Sequence, residues 1–265
     1  MASKGSKKSL EKSAAKTGII TITTAESGEL IICIAGSGEI NIDWGDGSKI
    51  ETHKVSEFDV NEWYHYKYYK PNVAMKYRYH REFSEKSTIT IIGEKVTHLG
   101  LYYSDYLCDF CNVTSLDISK NSTLIELFYK GCDLTSIDLS KNSELQTLMC
   151  FQGQLTSLDV SKNTKLETLC CGNNDLTSLN LSNNTNLKEL TCFYNELTSL
   201  NVSKNVNLKY LDCSFNDLTG SALDALFEML NSFEERKFIS ISNNPGAKDC
   251  NKSIAETKGW KVKIV

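Results

Sequence analysis

Residues Leu155–Asp175 read LTSLDVSKNTKLETLCCGNND. The first nine return at a step of 21: VTSLDISKN begins at Val113, LTSIDLSKN at Leu134, LTSLNLSNN at Leu176 and LTSLNVSKN at Leu197. A looser block lies between them: LIELFYKGC, LQTLMCFQG, LETLCCGNN, LKELTCFYN and LKYLDCSFN. A degenerate earlier copy, YSDYLCDFC, begins at Tyr103. A fixed period of this length means stacked units that bury one continuous core, each contacting its neighbours.

Both blocks fit the spacing L-x-x-L-x-L-x-x-N, which predicts two short strands per coil, paired in parallel with the next. Alternation sends Leu169 and Cys171 inward and Thr168, Cys170 and Gly172 outward. The asparagines that close the first block (Asn121, Asn142, Asn163, Asn184 and Asn205) predict a ladder of side-chain bonds to the turning backbone. Cys108, Cys150, Cys171, Cys192 and Cys213 share one inward position, interrupted by Tyr129. Free cysteine behaves as a small buried hydrophobe, so the column reads as a narrow filler for the coil. Other chemistry fits less well. Parallel inward side chains lie alongside one another, not aimed for a disulfide. Cys108/Cys111 has no second pair with which to hold zinc. A catalytic thiol needs an activating neighbour, and the four histidines (His53, His65, His80 and His98) all lie outside the repeat blocks, the earliest of which begins at Tyr103.

These two blocks resemble the 21-residue bacterial leucine-rich repeats of the internalin J type, in which a cysteine ladder replaces a leucine column. The resemblance covers about half the chain. It implies a secreted or cell-surface protein that binds host or neighbouring molecules, and it names no ligand. The predicted fold class is mainly β with a small α/β cap: an N-terminal β-sandwich, then a right-handed leucine-rich repeat solenoid with parallel strands. The expected divisions are a basic leader (1–17), the sandwich (18–93), the repeats (94–219) and a capping coil (220–265).

In the sandwich region GIITITTA, ELIICIAG, EINIDWGDG and STITIIGE alternate as strands. The segment IDWGDGS resembles the PKD-like modules of bacterial surface proteins. Asp43 and Asp46 are candidates for a cation or, more simply, for a side-chain-to-backbone turn. In EWYHYKYYKPNVAMKYRYHREF, Tyr64, Tyr66 and Tyr68 share one strand face, and His65, Lys67 and Tyr69 the other. Aromatic and basic residues together suit stacking on sugars or bases, or simply a half-buried strand pair. After the repeats, Leu223, Leu226, Phe227 and Leu230 predict one helical face. Ser221 with Asp224 predicts a capping box, Ile239, Ile241 and Asn244 a further coil, 249–258 a short helix ending at Gly259, and Trp260, Val262 and Ile264 a last strand.

Function is read from contrast between the blocks. The outward residues of the first hardly vary, as in Ser115, Ser136, Ser157, Ser178 and Ser199. Those of the second do vary, and Phe110, Phe128, Met149, Phe151, Phe193, Tyr194 and Phe215 are expected on its solvent side. Exposed aromatics gathered on one sheet mark an interaction site. The expectation is a non-enzymatic, monomeric recognition protein with a protein ligand. The alternative is a glycan, held by the tyrosine-rich segment or the same sheet. No cofactor, metal or nucleic acid is expected: the net charge of the 265-residue chain is only −4, and no phosphate loop or Ser-His-Asp arrangement is recognisable. No apolar run is long enough to span a bilayer, and the lysine-rich leader lacks the apolar core of a signal peptide.

Overall fold

A computed structural model describes residues 18–25, 28–56, 78–102, 111–232 and 237–264. The leader, the tyrosines from Tyr64 to Tyr69, Cys108 and Phe110 lie outside the described residues.

The repeats form one parallel ladder, with one strand per coil. In chain order these are β7 (Glu126–Lys130), β8 (Thr147–Phe151), β9 (Thr168–Cys170), β10 (Glu189–Thr191) and β11 (Tyr210–Asp212). Each pairs in register with the equivalent residues of the next coil, as Leu169 with Leu190 and Leu190 with Leu211. The expected second strand forms only in the first copy, as β6 (Val113–Asp117). In the later copies the equivalent residues pair with no strand, and the turn that follows is kept in every copy. Asp138, Asp159, Asn180 and Asn201 each accept a bond from the N–H two residues on, at 2.9–3.1 Å. Asparagine N–H groups then bond three residues back, as Asn163 to the Val160 carbonyl. The first copy makes the same bonds, from the Ser119 N–H to Asp117 and from the Asn121 N–H to the Ile118 carbonyl, so they do not decide which copies are strands. β6 remains extended because β1 (Gly18–Thr24) pairs with it, antiparallel.

Leu148, Leu169, Leu190 and Leu211 are buried, as are Cys150, Cys171, Cys192 and Cys213. Tyr129 fills the same column and is fully buried. The asparagine ladder runs from Asn142 onward: Asn184 Nδ2 donates to the Val160 carbonyl at 3.0 Å and the Asn163 carbonyl at 2.9 Å, and Asn142, Asn163 and Asn205 repeat the pattern, whereas the Asn121 Nδ2 is buried without a partner and does not join it. A second ladder was not anticipated. Asn174, Asn195, Asn216 and Asn244 donate to carbonyls of their own and the preceding coil, while their Oδ1 atoms accept the N–H groups of Leu155, Leu176, Leu197 and Leu218.

The N-terminal strands join this sheet directly. β5 (Thr88–Tyr102) pairs antiparallel with β1 through residues 88–93 and parallel with β7 through His98–Leu101. The expected boundary between 93 and 94 therefore falls inside one strand. β2 (Gly28–Asp43) follows β5 along both halves and carries β3 (Glu51–Val55) and β4 (Arg78–Phe83) on its other edge. Both β2 and β5 bend at bulges between Ala35 and Ile40. Gly36 permits the bend: a Cβ there would lie 1.8 Å from the Lys95 carbonyl oxygen. One buried cluster runs from Ile20 and Ile89 through the leucines of every coil to Trp260. The N-terminal strands thus close the open end of the stack, which would otherwise expose core and strand edges.

At the other end, α1 (Gly220–Met229) buries Leu223, Leu226 and Phe227. Its cap is Thr219, whose side chain accepts the Ala222 N–H at 3.2 Å. The expected Ser221/Asp224 box does not form, because the helix starts two residues earlier and Asp224 instead accepts the Asn251 N–H. β12 (Lys237–Ser240), the short α2 (Ser253–Glu256) and β13 (Trp260–Lys263) complete the cap, with β13 in parallel on β12.

Candidate functional site

Strand register lays the outward residues in rows across the sheet. One row runs Cys33, Gly100, Phe128, Met149, Cys170, Thr191, Asp212, Ser240 and Lys263. The row beside it runs His98, Glu126, Thr147, Thr168, Glu189, Tyr210, Phe238 and Lys261.

The N-terminal part of this outer face is closed. Phe128 is 2% exposed and Phe151 6%, so the expectation that both face solvent is corrected. Both do point outward. Alternation decides which face a side chain takes, not whether that face is covered. Gly100 pairs between Cys33 and Phe128, and Phe128 meets Phe151 edge-on at 5.7 Å. Ile31 and Cys33 are buried here too, apart from the main core. The same region holds an acid that sequence reading missed. Glu126 Oε1 lies 3.8 Å from His98 Nε2, while Oε2 is buried without a hydrogen-bond partner. Burial pushes the Glu126 carboxyl up to about 8 and the His98 imidazole down to about 4. Burial thus favours the uncharged form of each.

The C-terminal part is open. Tyr210 and Phe238, paired neighbours, are 40% and 42% exposed. They escaped notice because only the later outward positions of each block were read as variable surface. Thr191 and Asp212 form a polar floor between them and the far margin. There Ser214 donates to Asp212 and meets the Ser240 hydroxyl at 2.7 Å.

That far margin is built by an unusual backbone. Gln152, Asn173, Tyr194, Phe215 and Asn243 all have φ between 49° and 58°, in register with Gly131 at 68°. This left-handed region suits Gly and Asn; a bulky aromatic there costs on the order of 1 kcal/mol. Tyr194 and Phe215 stack at 3.9 Å and 13°, which offsets part of that cost. Phe193 meets Tyr194 edge-on and lies over Gly172, where a Cβ would come within 2.7 Å of its ring. Tyr194 is 48% exposed, Phe193 and Phe215 are half-buried, and Met149 is partly exposed.

In the described part of the cysteine column, burial works against the thiolate form. Burial holds Cys171 and Cys192 well above the ordinary thiol range, and moves Cys150 and Cys213 in the same direction. Cys170, on the outer face, is pushed up to about 12 by desolvation. Among the described residues no three His, Cys, Asp or Glu converge as metal ligands, and no helix is long and apolar enough to cross a membrane. The aspartates of the IDWGDGS turn are committed: Asp43 accepts the Gly45 N–H at 3.0 Å, and Asp46 accepts the Ser48 N–H at 2.9 Å. Desolvation works against the charge on Asp46, but bonds from Ser48 and Arg81 hold its carboxyl down at about 2.

No protein-family model matches the chain, and no curated protein matches it. Solved structures do. The functional domain of InlJ from Listeria monocytogenes, described as including a cysteine ladder, is 30% identical over 56% of this chain and 31% of that one, with a TM-score of 0.46. An internalin, inlF, from the same species is 24% identical over 56% of this chain and 45% of that one, TM-score 0.42. Internalin C2, also from Listeria monocytogenes, is 14% identical over 63% and 80%, TM-score 0.43. The chain thus spans less than half the length of the first two.

Proposed function

We propose that this chain is a non-enzymatic recognition protein that binds a protein ligand on the open, C-terminal part of its outer sheet face. The reading rests on one observation above all: Tyr210 and Phe238 stand on that face and Tyr194 on its far margin, each at least 40% exposed. Exposed aromatics gathered on one surface mark interaction sites, and tyrosine anchors supply much of the energy of protein interfaces. The margin supports the same reading. Tyr194 and Phe215 are held in a backbone region that disfavours them, and such strain concentrates where side chains are aimed for a purpose. Of the residues expected to bind, Phe193, Tyr194 and Phe215 belong to this surface and Met149 to its border; Phe128 and Phe151 pack beneath the closed part. A secreted or cell-surface location, implied by the sequence resemblance, belongs to the proposal.

The experiment is a triple substitution, Tyr194→Ser, Tyr210→Ser and Phe238→Ser, with capture from an extract of mucosal surface and thermal melts of both proteins. Loss of a specific partner at unchanged melting temperature is expected. Capture equal to wild type would overturn the reading. Glycan binding is a second reading, favoured by aromatic rings flanking the hydroxyl-lined floor of Thr191, Ser214 and Ser240. A glycan array that gives saturable, variant-sensitive signals would replace the protein ligand with a sugar.

A further inference from the structure

The open part of the outer face runs to the edge of the sheet, where β13 ends the strand order. Strands β10 to β13 cross it, and their register sets two rows of outward residues. The first row is Glu189, Tyr210, Phe238 and Lys261; the second is Thr191, Asp212, Ser240 and Lys263. Neighbours in a row stand about 4.8 Å apart. Charge is sorted across this patch. The two acids lie on β10 and β11, the two lysines on β13, and the exposed rings of Tyr210 and Phe238 stand between Glu189 and Lys261. Glu189, Lys261 and Lys263 are exposed. None of the three joins an ion pair among the described residues, whereas Lys165, Lys188 and Lys258 do. Lysines on an edge strand also guard it against strand addition, but that role leaves the acids and the rings beside them without a reason.

A patch of this order is complementary to itself. Consider a second copy laid face to face, related by a twofold axis that runs parallel to the strands between β11 and β12. The rotation sets β10 over β13 of the second copy and β11 over its β12. Heights along the strands are unchanged, so each row faces its own counterpart. Glu189 then meets Lys261 of the second copy, and Tyr210 meets its Phe238. In the second row Asp212 meets Ser240, and Lys263 falls over Thr191, one strand from Asp212. Symmetry makes each contact twice, and within the two rows no like charges are opposed.

Resting on the reading that this face binds protein, we infer that the protein it fits is a second copy of this chain, joined through β10–β13 in an isologous dimer. This replaces the monomer expected from sequence. Packed sheets stand ~10 Å apart, which lets Tyr210 and Phe238 stack across the axis. The patch is small beside the ~800 Å² per partner of a standard interface, so the dimer is weak, with a dissociation constant on the order of 100 µM. Such an affinity gains strength where many copies share one surface.

The test is sedimentation velocity of the whole chain from about 10 to 500 µM, a range that brackets this constant. Wild type should pass from monomer to dimer within it. Glu189→Lys and Lys261→Glu each oppose like charges at both ends of the interface, and each alone should weaken self-association about tenfold or more. Mixed in equal amounts, the two variants restore opposite charges at both ends. A heterodimer should then form within about threefold of the wild-type affinity. Rescue on mixing separates a lost contact from a damaged fold. A wild type that stays monomeric, self-association that both single variants leave unchanged, or a mixture that stays monomeric would each overturn the inference. The recognition reading fails separately. A monomeric chain that captures another protein and loses it on Tyr210→Ser and Phe238→Ser refutes only the second copy as ligand. A chain whose capture and self-association both ignore those two substitutions refutes the binding face itself.

Discussion

Replacing Cys171 tests why a column of thiols runs through this stack. Cys171 is fully buried, with Cys150 and Cys192 as its neighbours in adjoining coils. Taken as an apolar filler, its sulfur contributes about as much as a methylene group, ~0.8 kcal/mol on removal from water. Cys171→Ala loses that and leaves a small void, so a cost of about 1–1.5 kcal/mol is expected. Cys171→Ser keeps the shape but buries a hydroxyl with no waiting partner, at about 1–3 kcal/mol. Cys171→Leu restores the consensus residue yet adds bulk between coils only ~4.8 Å apart, again about 1–3 kcal/mol. The expected order is that Ala is tolerated best, although Ser is closer in size. Urea unfolding of the four proteins, followed by circular dichroism, measures the differences. A serine variant as stable as wild type, with alanine clearly worse, would refute the argument, because it would mean the column works through polar contacts. A leucine variant more stable than wild type would refute it from the other side, by showing room the coil is argued not to have.

Glu126 gives a pH signature. Its carboxyl titrates at about 8 in the fold against an ordinary 4.5, so between those values the folded state holds a proton that the unfolded state has released. Its contribution therefore falls as pH rises through that window, by on the order of 2–4 kcal/mol, and levels off above it. Glu126→Gln should abolish this decline in denaturation midpoints between pH 6.5 and 8.5, while the acid-side loss from His98, whose neutral form is favoured in the fold, persists from 6.5 down towards 4. An unchanged alkaline slope would show that the carboxyl is hydrated. The asparagine ladder predicts a local cost: Asn184→Ala leaves the carbonyls of Val160 and Asn163 without their donor and should destabilise by about 2–4 kcal/mol. Asn183→Ala, which loses one exposed bond to Ser161, should cost under about 1 kcal/mol in the same assay.

The period and the inward columns could be read from sequence because they are nearest-neighbour properties. Once Leu169 and Cys171 are inside, every residue 21 positions away must be inside as well. The strand content of the first block could not. Its L-x-x-L-x-L spacing suits an extended chain, but a strand forms only where a partner strand is available. β1 supplies one for Val113–Asp117 and no other strand does so for the later copies. The burial of Phe128 and Phe151 was hidden for a related reason. Their outward direction follows from alternation, whereas cover over the face comes from elsewhere in the fold. The left-handed margin did leave a trace, since Gly131, Asn173 and Asn243 are residue types that favour positive φ. Tyr194 and Phe215 masked it because they are poor representatives of that conformation. The N-terminal closure left no trace of comparable strength: nothing in STITIIGEKVTHLGLY shows that its two halves serve different neighbours.

The position of the candidate site follows from the same physics. A stacked coil fixes its inward residues by packing and its turn residues by ladders of buried asparagine, leaving two kinds of position free to vary. One is the outer strand face, where Tyr210 and Phe238 stand. The other is the left-handed step just after each strand, whose side chain projects from the margin without entering the core. A substitution at either place changes the surface and leaves the stack intact. This is why Gln152, Asn173, Tyr194 and Phe215 can differ so widely at equivalent positions, while the leucine and cysteine beside them barely change. The cleft of about 240 Å³ at Gln152 and the aromatic stack at Tyr194 are then two settings of one position. A chimaera moving Tyr194-Asn195-Glu196 onto residues 152–154 should fill the cleft, add a third aromatic to the margin and keep the same fold.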